Sequence, residues 1–466
     1  LKDLTKGNLL NNLLTYSLPI LLGDLLQSLY STVDALWVGR LIGADALAAV
    51  SASMPIMFLL VSLMIGIAVS TVILCGQAYG AKNFTRLQVI IENSFIVLSI
   101  MSVAISALGI IFSTPLLRLL NTPESILPQA HTFLVIILAG QVFMFFYNWL
   151  SGILRGLGDS RTPLKLLAIS VSLNIILAPA LISGFMGVPR MGIAGSALAT
   201  VISQFITALI AVFFIIKKYE FFDVRKWKFK FDSAVIRQIF FIGIPVSLQM
   251  IITSLSGVVI ISIVNRFGPD VTAGFGIGMR IDQFSFLPAM SIGMAVSAFT
   301  AQFLGAKKHE GIKKIIGYAV IYSACISAVM FIVVNLAGRQ IAGIFTSSAA
   351  VIEHSVIYFR YVSFTYILFS VYFIFLGTIR GAGDTLPSTI ISFISLLMVR
   401  ATMAHYLSES MGEQGIWIAM LASVATALIL TYIYYLSGRW IKVYEKNESR
   451  RHGAGHNQPP PASIEP

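Results

Sequence analysis

GQAYGAKN, residues 76–83, returns as AQFLGAKK at 301–308, 225 positions further along the chain. Other pairs keep nearly the same offset. SLPI at 17–20 matches GIPV at 243–246, and LIGADALAAV at 41–50 matches RFGPDVTAGF at 266–275. LRGLGDSRTP at 154–163 matches IRGAGDTLP at 379–387, and MGIAGSALATVIS at 191–203 matches QGIWIAMLASVAT at 414–426. The chain is a duplicated unit.

The unit is apolar. Of 466 residues, 57% are hydrophobic and 11% charged, and the mean hydropathy is +0.86. Soluble domains carry about 25% charged residues, so this chain has too little charge to cover a water-facing surface. Twelve apolar segments stand out, at roughly 13–38, 47–75, 88–113, 130–153, 164–186, 192–216, 237–264, 272–300, 315–338, 354–378, 387–407 and 413–437. Each has the length a helix needs to cross the hydrocarbon core. They are too long for barrel strands, which alternate over about 10 residues. The expected fold is an all-α integral membrane protein with twelve transmembrane helices, six per copy. Six spans return the chain to its starting side, so the copies are parallel repeats related by an axis along the membrane normal.

These segments divide the chain into an N-terminal segment (1–12), a first six-helix lobe (13–216), an inter-lobe loop (217–236), a second lobe (237–437) and a tail (438–466). The loop contains KKYEFFDVRKWKFKFD at 217–232; the tail from Tyr444 is polar and Pro/Gly-rich and reads as disordered. The segment from 13 is too long, and too polar in its second half, for a cleaved leader. Orientation follows from basic residues. One set of connections, together with both termini, holds Lys2, Lys6, Lys82, Arg86, Arg155, Arg161, Lys165, the 217–237 cluster, Lys307, Lys308, Lys313, Lys314 and Arg380. The opposite connections hold Arg40, Arg118, Arg190, Arg266 and Arg339 singly. Both termini are therefore expected in the cytoplasm. The same bias accounts for the net charge of +12 without a nucleic-acid partner. Cys75 and Cys325 lie far apart in apolar context and imply neither a disulfide framework nor a metal site.

The glycines of RGLGDS (155–160) and IRGAGD (379–384) lack the strand–loop–helix context of a phosphate cradle. They read as tight turns, with glycine supplying unusual dihedrals and an Arg–Asp pair able to lock the turn. GFGIG at 274–278 opens a membrane helix and permits close packing.

Taken together, QSLYSTVDALWVGRLIG (27–43), GQAYGAKN, LRGLGDSRTP, LPAMSIG (287–293), QFLGAKK (302–308) and IRGAGDTLP resemble the multidrug and toxic compound extrusion (MATE) transporters of the bacterial branch. The resemblance spans roughly residues 7–437. It implies a V-shaped pair of six-helix lobes, acting as a monomer in the bacterial inner membrane without a cofactor. It also implies export of organic cations or drugs in exchange for H⁺ or Na⁺.

In that family the first-helix acid, Asp34 here, is the cation-coupling residue of the N-terminal lobe. The physics agrees, because a charged Asp at mid-helix costs about 2.5–3.5 kcal/mol on insertion scales. It must be protonated, bind a cation, face a wet cavity, or be a structural acid bonded to a neighbouring helix. Tyr30 lies one turn earlier on the same face, with its hydroxyl in reach of the carboxyl. Asn174 matches a family asparagine, but the aspartate expected four residues later is Ala178. Losing that carboxylate favours H⁺ over Na⁺. Asn148, Ser151, Ser196 and Thr200 can add neutral oxygens or simply pack. Asp24, ten residues before Asp34, can attract a cationic substrate, stand in for the acid missing at Ala178, or line a wet vestibule.

The C-terminal lobe lacks the acids some relatives carry: IPVSLQMIITSL and FTYILFSVYFIFL contain none. Arg280 and Asp282 are two apart and do not face each other. Arg400 can partner an acid or helix-end carbonyls. Gln27, Gln249, Met250, Met279, Phe284 and Phe286 are candidate cavity lining beside Asp24, Arg280 and Asp282, since flexible Met and aromatic surfaces suit promiscuous binding; each also suits plain packing. The alternative within the superfamily is a lipid-linked-precursor flippase, which calls for several cavity cations. Membrane-enzyme motifs are missing from the sequence, and a channel fits a parallel repeat with one central acid less well than alternating access does.

Overall fold

The computed structural model describes residues 2–184, 189–218, 227 and 229–453. The rest of the expected inter-lobe loop and the tail beyond 453 lie outside them. Among the described residues, twelve helices are long and apolar enough to cross a membrane. They are α1 (Leu9–Leu41), α2 (Ala44–Gly80), α3 (Phe84–Ile111), α4 (Leu127–Gly156), α5 (Arg161–Ser183) and α6 (Ile193–Lys218) in the first lobe. The second lobe holds α7 (Ser233–Val264), α8 (Pro269–Gly305), α9 (His309–Phe345), α10, α11 (Leu386–Met411) and α12 (Glu413–Leu436). α10 has two pieces, Ala349–Val362 and Phe364–Gly381, joined at Ser363. Inside α11, residues Phe393–Val399 adopt the wider π-helical winding. No strand occurs among the described residues.

Several helices begin on a side-chain cap. Asn83 accepts from Arg86 N at the start of α3 (2.9 Å), and Asp232 from Ala234 N and Val235 N at the start of α7 (2.9 and 3.1 Å). Pro19, Pro55, Pro179, Pro245 and Pro288 sit inside helices, a position that membrane helices tolerate better than soluble ones. The two repeat turns are alike: Gly158 and Gly383 have φ of 83° and 84°, the left-handed region that favours glycine. Their aspartates differ. Asp159 caps α5 through Arg161 N and Thr162 N, both at 3.0 Å, whereas Asp384 accepts from Tyr434 at 2.5 Å.

An even number of spans puts both chain ends on one side, here termed the terminal side. The lobes converge there. Ser247 of α7 donates to Leu63 O of α2 (3.1 Å), and Ser291 of α8 to Asp24 of α1 (2.8 Å). Arg86 of α3 reaches Gln238 of α7 (3.0 Å). Towards the far side, α2 and α7 present exposed Met54, Phe58, Leu255, Val258 and Ile261.

The tail departs from the sequence reading. Arg439–Gly453 forms a further helix, α13. Trp440 stacks on Tyr435 at 5.7 Å, and both Trp440 and Tyr444 are buried in a cluster with Leu4, Phe299 and Phe303. Order therefore continues past Tyr444 because these two rings, four residues apart, share one helix face.

Candidate polar site in the first lobe

Five of the expected residues meet where α1, α5 and α6 pack together. α1 supplies Tyr30 and Asp34, one turn apart; α5 supplies Asn174; α6 supplies Ser196 and Thr200, again one turn apart. Ser196 Oγ donates to Asp34 Oδ1 at 3.1 Å. Asn174 Nδ2 donates to Thr200 Oγ1 at 3.2 Å, and Tyr30 and Thr200 share a hydroxyl–hydroxyl bond of 2.9 Å. Tyr30 was expected to reach Asp34; its long ring carries the hydroxyl past the carboxylate to Thr200 instead. Asn174 is buried, and its Oδ1 has no hydrogen-bond partner. Among the described residues no basic side chain lies within ion-pair distance of Asp34. The cluster thus offers a carboxylate and an unsatisfied amide oxygen inside an apolar lobe, a set that favours a proton or a small cation.

Ala178, one turn beyond Asn174, is fully buried among Ile182, Ala199, Trp37 and Leu41. The position where the resemblance leads one to expect an acid is therefore apolar packing. Asp24 lies away from this cluster, at the lobe boundary, where its Oδ2 accepts from Ser291 at 2.8 Å. Asn148 turns its amide to Met144 O on its own helix (3.0 Å). Neither Asn148 nor Ser151, both on α4, bonds to the Asp34 cluster.

The cavity expectations divide. Gln27, Met279, Arg280 and Phe284 are exposed, and Met250 is half-buried. Arg280 lies over the Phe345 ring at 5.8 Å. Phe286 packs on Phe369 and Tyr366 at 4.2 and 5.6 Å. Two residues are not where a cavity wall needs them. Gln249 is buried, donating to Ser392 (2.7 Å) and Tyr372 (3.3 Å) and accepting from Arg380 (2.6 Å). Asp282 is also buried: it accepts from Tyr366 at 2.7 Å and from Tyr358. Arg400, bonded to Ser423 (2.8 Å) and Ser256 (3.3 Å), is the cation that faces Asp282 without a direct ion pair. Ser256 in turn donates to Leu396 O in the π-helical stretch of α11.

The sequence profile of the MatE family matches residues 19–180 and 245–405, one stretch in each lobe and in the same register as the internal repeat. The chain belongs to the MATE family. Curated relatives agree along almost the whole chain. The "Probable multidrug resistance protein YoeA" of Bacillus subtilis (strain 168) is 34% identical, with 92% of this chain and 94% of the relative covered. The "Probable multidrug resistance protein YpnP" of the same strain is 34% identical, with 94% and 97% covered. Among solved structures, the "Outward-facing conformation of a multidrug resistance MATE family transporter of the MOP superfamily" superposes with a TM-score of 0.87. It is 23% identical and covers 95% of this chain and 98% of that one. The protein is thus a multi-pass membrane protein of the MATE multidrug efflux family, with that family's two-lobe fold.

In this MATE chain the buried Asp282–Tyr358–Tyr366–Arg400 group is the feature sequence reading missed. Asp282 and Arg400 stood out as intramembrane charges, but their partners lie 76 and 84 residues from Asp282 along the chain. No local pattern links them. A recess of about 270 Å³ lies elsewhere, between α3, α4 and α6 among Phe95, Val142, Phe143, Phe146 and Phe205. Its lining is mainly apolar, with Ser99 and Ser102 as polar members, and contains no acid.

Proposed function

We propose that this MATE protein exports organic cations or drugs in exchange for H⁺ by alternating access, as a monomer, with Asp34 as the coupling residue. The observation that carries this reading is the α1–α5–α6 cluster, where Asp34 has one donor on one oxygen and, among the described residues, no ion-paired cation. A carboxyl in such a place gains by taking up a proton when water withdraws and by releasing it when water returns. H⁺ is preferred to Na⁺ because Ala178 supplies packing where a second carboxylate would complete a metal-like oxygen cage. The relatives' designation as multidrug resistance proteins supports a drug substrate. The terminal side faces the cytoplasm of a bacterial plasma membrane, since the basic connections gather there. A flippase is not favoured. Its anionic head group calls for grouped cations, whereas Arg400 is bonded to Ser423 and Ser256 and Arg280 lies over Phe345.

The test is ethidium efflux from proteoliposomes under an imposed pH gradient, and separately under a Na⁺ gradient, for wild type and Asp34→Asn. The pH gradient alone should drive efflux, and the variant should lose it. Efflux driven by Na⁺ alone would overturn the coupling-ion reading. A folded protein that moves no cationic dye under either gradient would overturn the substrate class.

A further inference from the structure

Gln77 of α2 and Gln302 of α8 occupy the same place in the two copies of the repeat, and both are buried. Each reaches into the opposite lobe. Gln77 Nε2 donates to Gly381 O at 3.1 Å, and Gln302 Nε2 to Gly156 O at 2.8 Å. Gly156 and Gly381 are the last residues of α4 and α10 and are themselves repeat equivalents. Carbonyls at a helix C-terminus have no partner within the helix. Each lobe therefore leaves one helix-end carbonyl for the glutamine of the other lobe to satisfy.

The backbones cross closely enough to aim these bonds. A Cβ at Gly80 would lie 2.1 Å from Gln302 O, and a Cβ at Gly305 would lie 2.1 Å from Gln77 O. No side chain fits at either position, so the two glycines set the approach of α2 and α8 and the two glutamines fasten it. The N-terminal segment adds a strap on one side only. Leu4 N donates to Gln302 Oε1 at 2.9 Å, Lys2 N to Leu157 O at 3.3 Å, and the Leu4 side chain is fully buried.

We infer that Gln77 and Gln302 form a two-fold latch that holds the lobes closed on the terminal side and is released when the protein opens towards that side. The inference rests on the alternating-access reading. The chemistry suits a reversible fastener. Both partners are neutral, and water can replace either when the lobes part, so release leaves no charge stranded in an apolar seam. The pairing also explains why GQAYGAKN and AQFLGAKK on one hand, and LRGLGD and IRGAGD on the other, stay alike while much of the two lobes has diverged. Each motif pair supplies one half of each bond.

A seam thiol tests this without substrate or gradient. Ser247, buried in α7, donates across the boundary to Leu63 O. Ser247→Cys in a Cys75→Ser, Cys325→Ser background places a single, nearly isosteric thiol there. With the latch intact, N-ethylmaleimide should label it slowly. Gln77→Ala with Gln302→Ala should accelerate labelling by roughly five- to tenfold per lost bond. Gln77→Glu with Gln302→Glu separates release from misfolding: the ionised carboxylates repel the glycine carbonyls and open the seam, and acidification lets them donate and close it again. Labelling of the alanine pair at the parent rate would overturn the inference, as would a glutamate-pair rate whose ratio to the parent rate, taken at each pH to cancel the titration of the thiol itself, does not change with pH. Because this readout needs no transport, a failure of dye efflux refutes the antiport reading and leaves the labelling result to judge the latch.

Discussion

Replacing Asp282 should unfold the second lobe before it disables any transport chemistry. The carboxylate is 6% exposed and accepts from Tyr366 at 2.7 Å and from Tyr358. A hydrogen bond to a charged group is worth about 1.5–3 kcal/mol net. Asp282→Ala removes two such bonds and leaves Arg400 without the charge it faces, so a loss of about 3–5 kcal/mol is expected. Tyr358→Phe and Tyr366→Phe should each cost about 1.5–3 kcal/mol. The diagnostic quantity is the coupling. Once Asp282 is alanine, Tyr358→Phe has little left to lose, so the double variant should fall short of the sum of the singles by about 1–3 kcal/mol. Reversible unfolding in mixed micelles, followed by tryptophan fluorescence, suits the measurement because Trp417 lies edge-on to Tyr358 at 4.8 Å and stacks on Phe275 at 5.5 Å. Purely additive costs, or an Asp282→Ala variant of wild-type stability that no longer transports, would refute a structural role and move Asp282 to the transport site.

Two further outcomes follow from the terminal side. Truncation after residue 438 removes the buried Trp440 and Tyr444 and should cost about 3–5 kcal/mol in the same assay. In the turn before α11, burial pushes the Asp384 carboxyl above its ordinary value, with the Tyr434 hydroxyl opposing the shift. The folded state therefore holds that proton more tightly than the unfolded chain, so its contribution to stability falls as pH rises above about 4, and Asp384→Asn should flatten that part of the pH–stability curve. A variant curve parallel to wild type would exclude Asp384 as the source.

The spans were legible because membrane insertion imposes one pattern, a long apolar run, on every one of them. Their ends were not. Helix α9 was read as 315–338 and runs His309–Phe345, since polar residues continue the winding where the hydrocarbon stops. The first piece of α10 begins at Ala349, ahead of the apolar stretch, in a segment carrying His354 and Arg360. The π-helical winding of FISLLMV left no trace, because an apolar heptamer reads the same in either winding. Asp34 and Asn174 were recoverable from a family pattern, but the Tyr30–Thr200 bond was not, because a one-turn spacing on α1 says nothing about a competing hydroxyl on α6.

The duplication separates what both lobes need from what only one lobe uses. At the terminal seam the copies remain interchangeable: Gln77 and Gln302, Gly80 and Gly305, and Gly156 and Gly381 hold the same partners with the lobes exchanged. A two-fold closing surface has to be self-complementary, so a change on one side is felt at the equivalent contact on the other. The intramembrane acids obey no such constraint. With the offset of 226 that pairs SLPI with GIPV, Asp34 of α1 corresponds to Ile260 of α7, and with the offset of 225 Asp282 of α8 corresponds to Met57 of α2. The acids therefore arose on non-equivalent helices and carry different surroundings: one donor and no cation for Asp34, two tyrosines and a facing arginine for Asp282. If Asp34 is the coupling residue, the coupling capacity lies in one lobe.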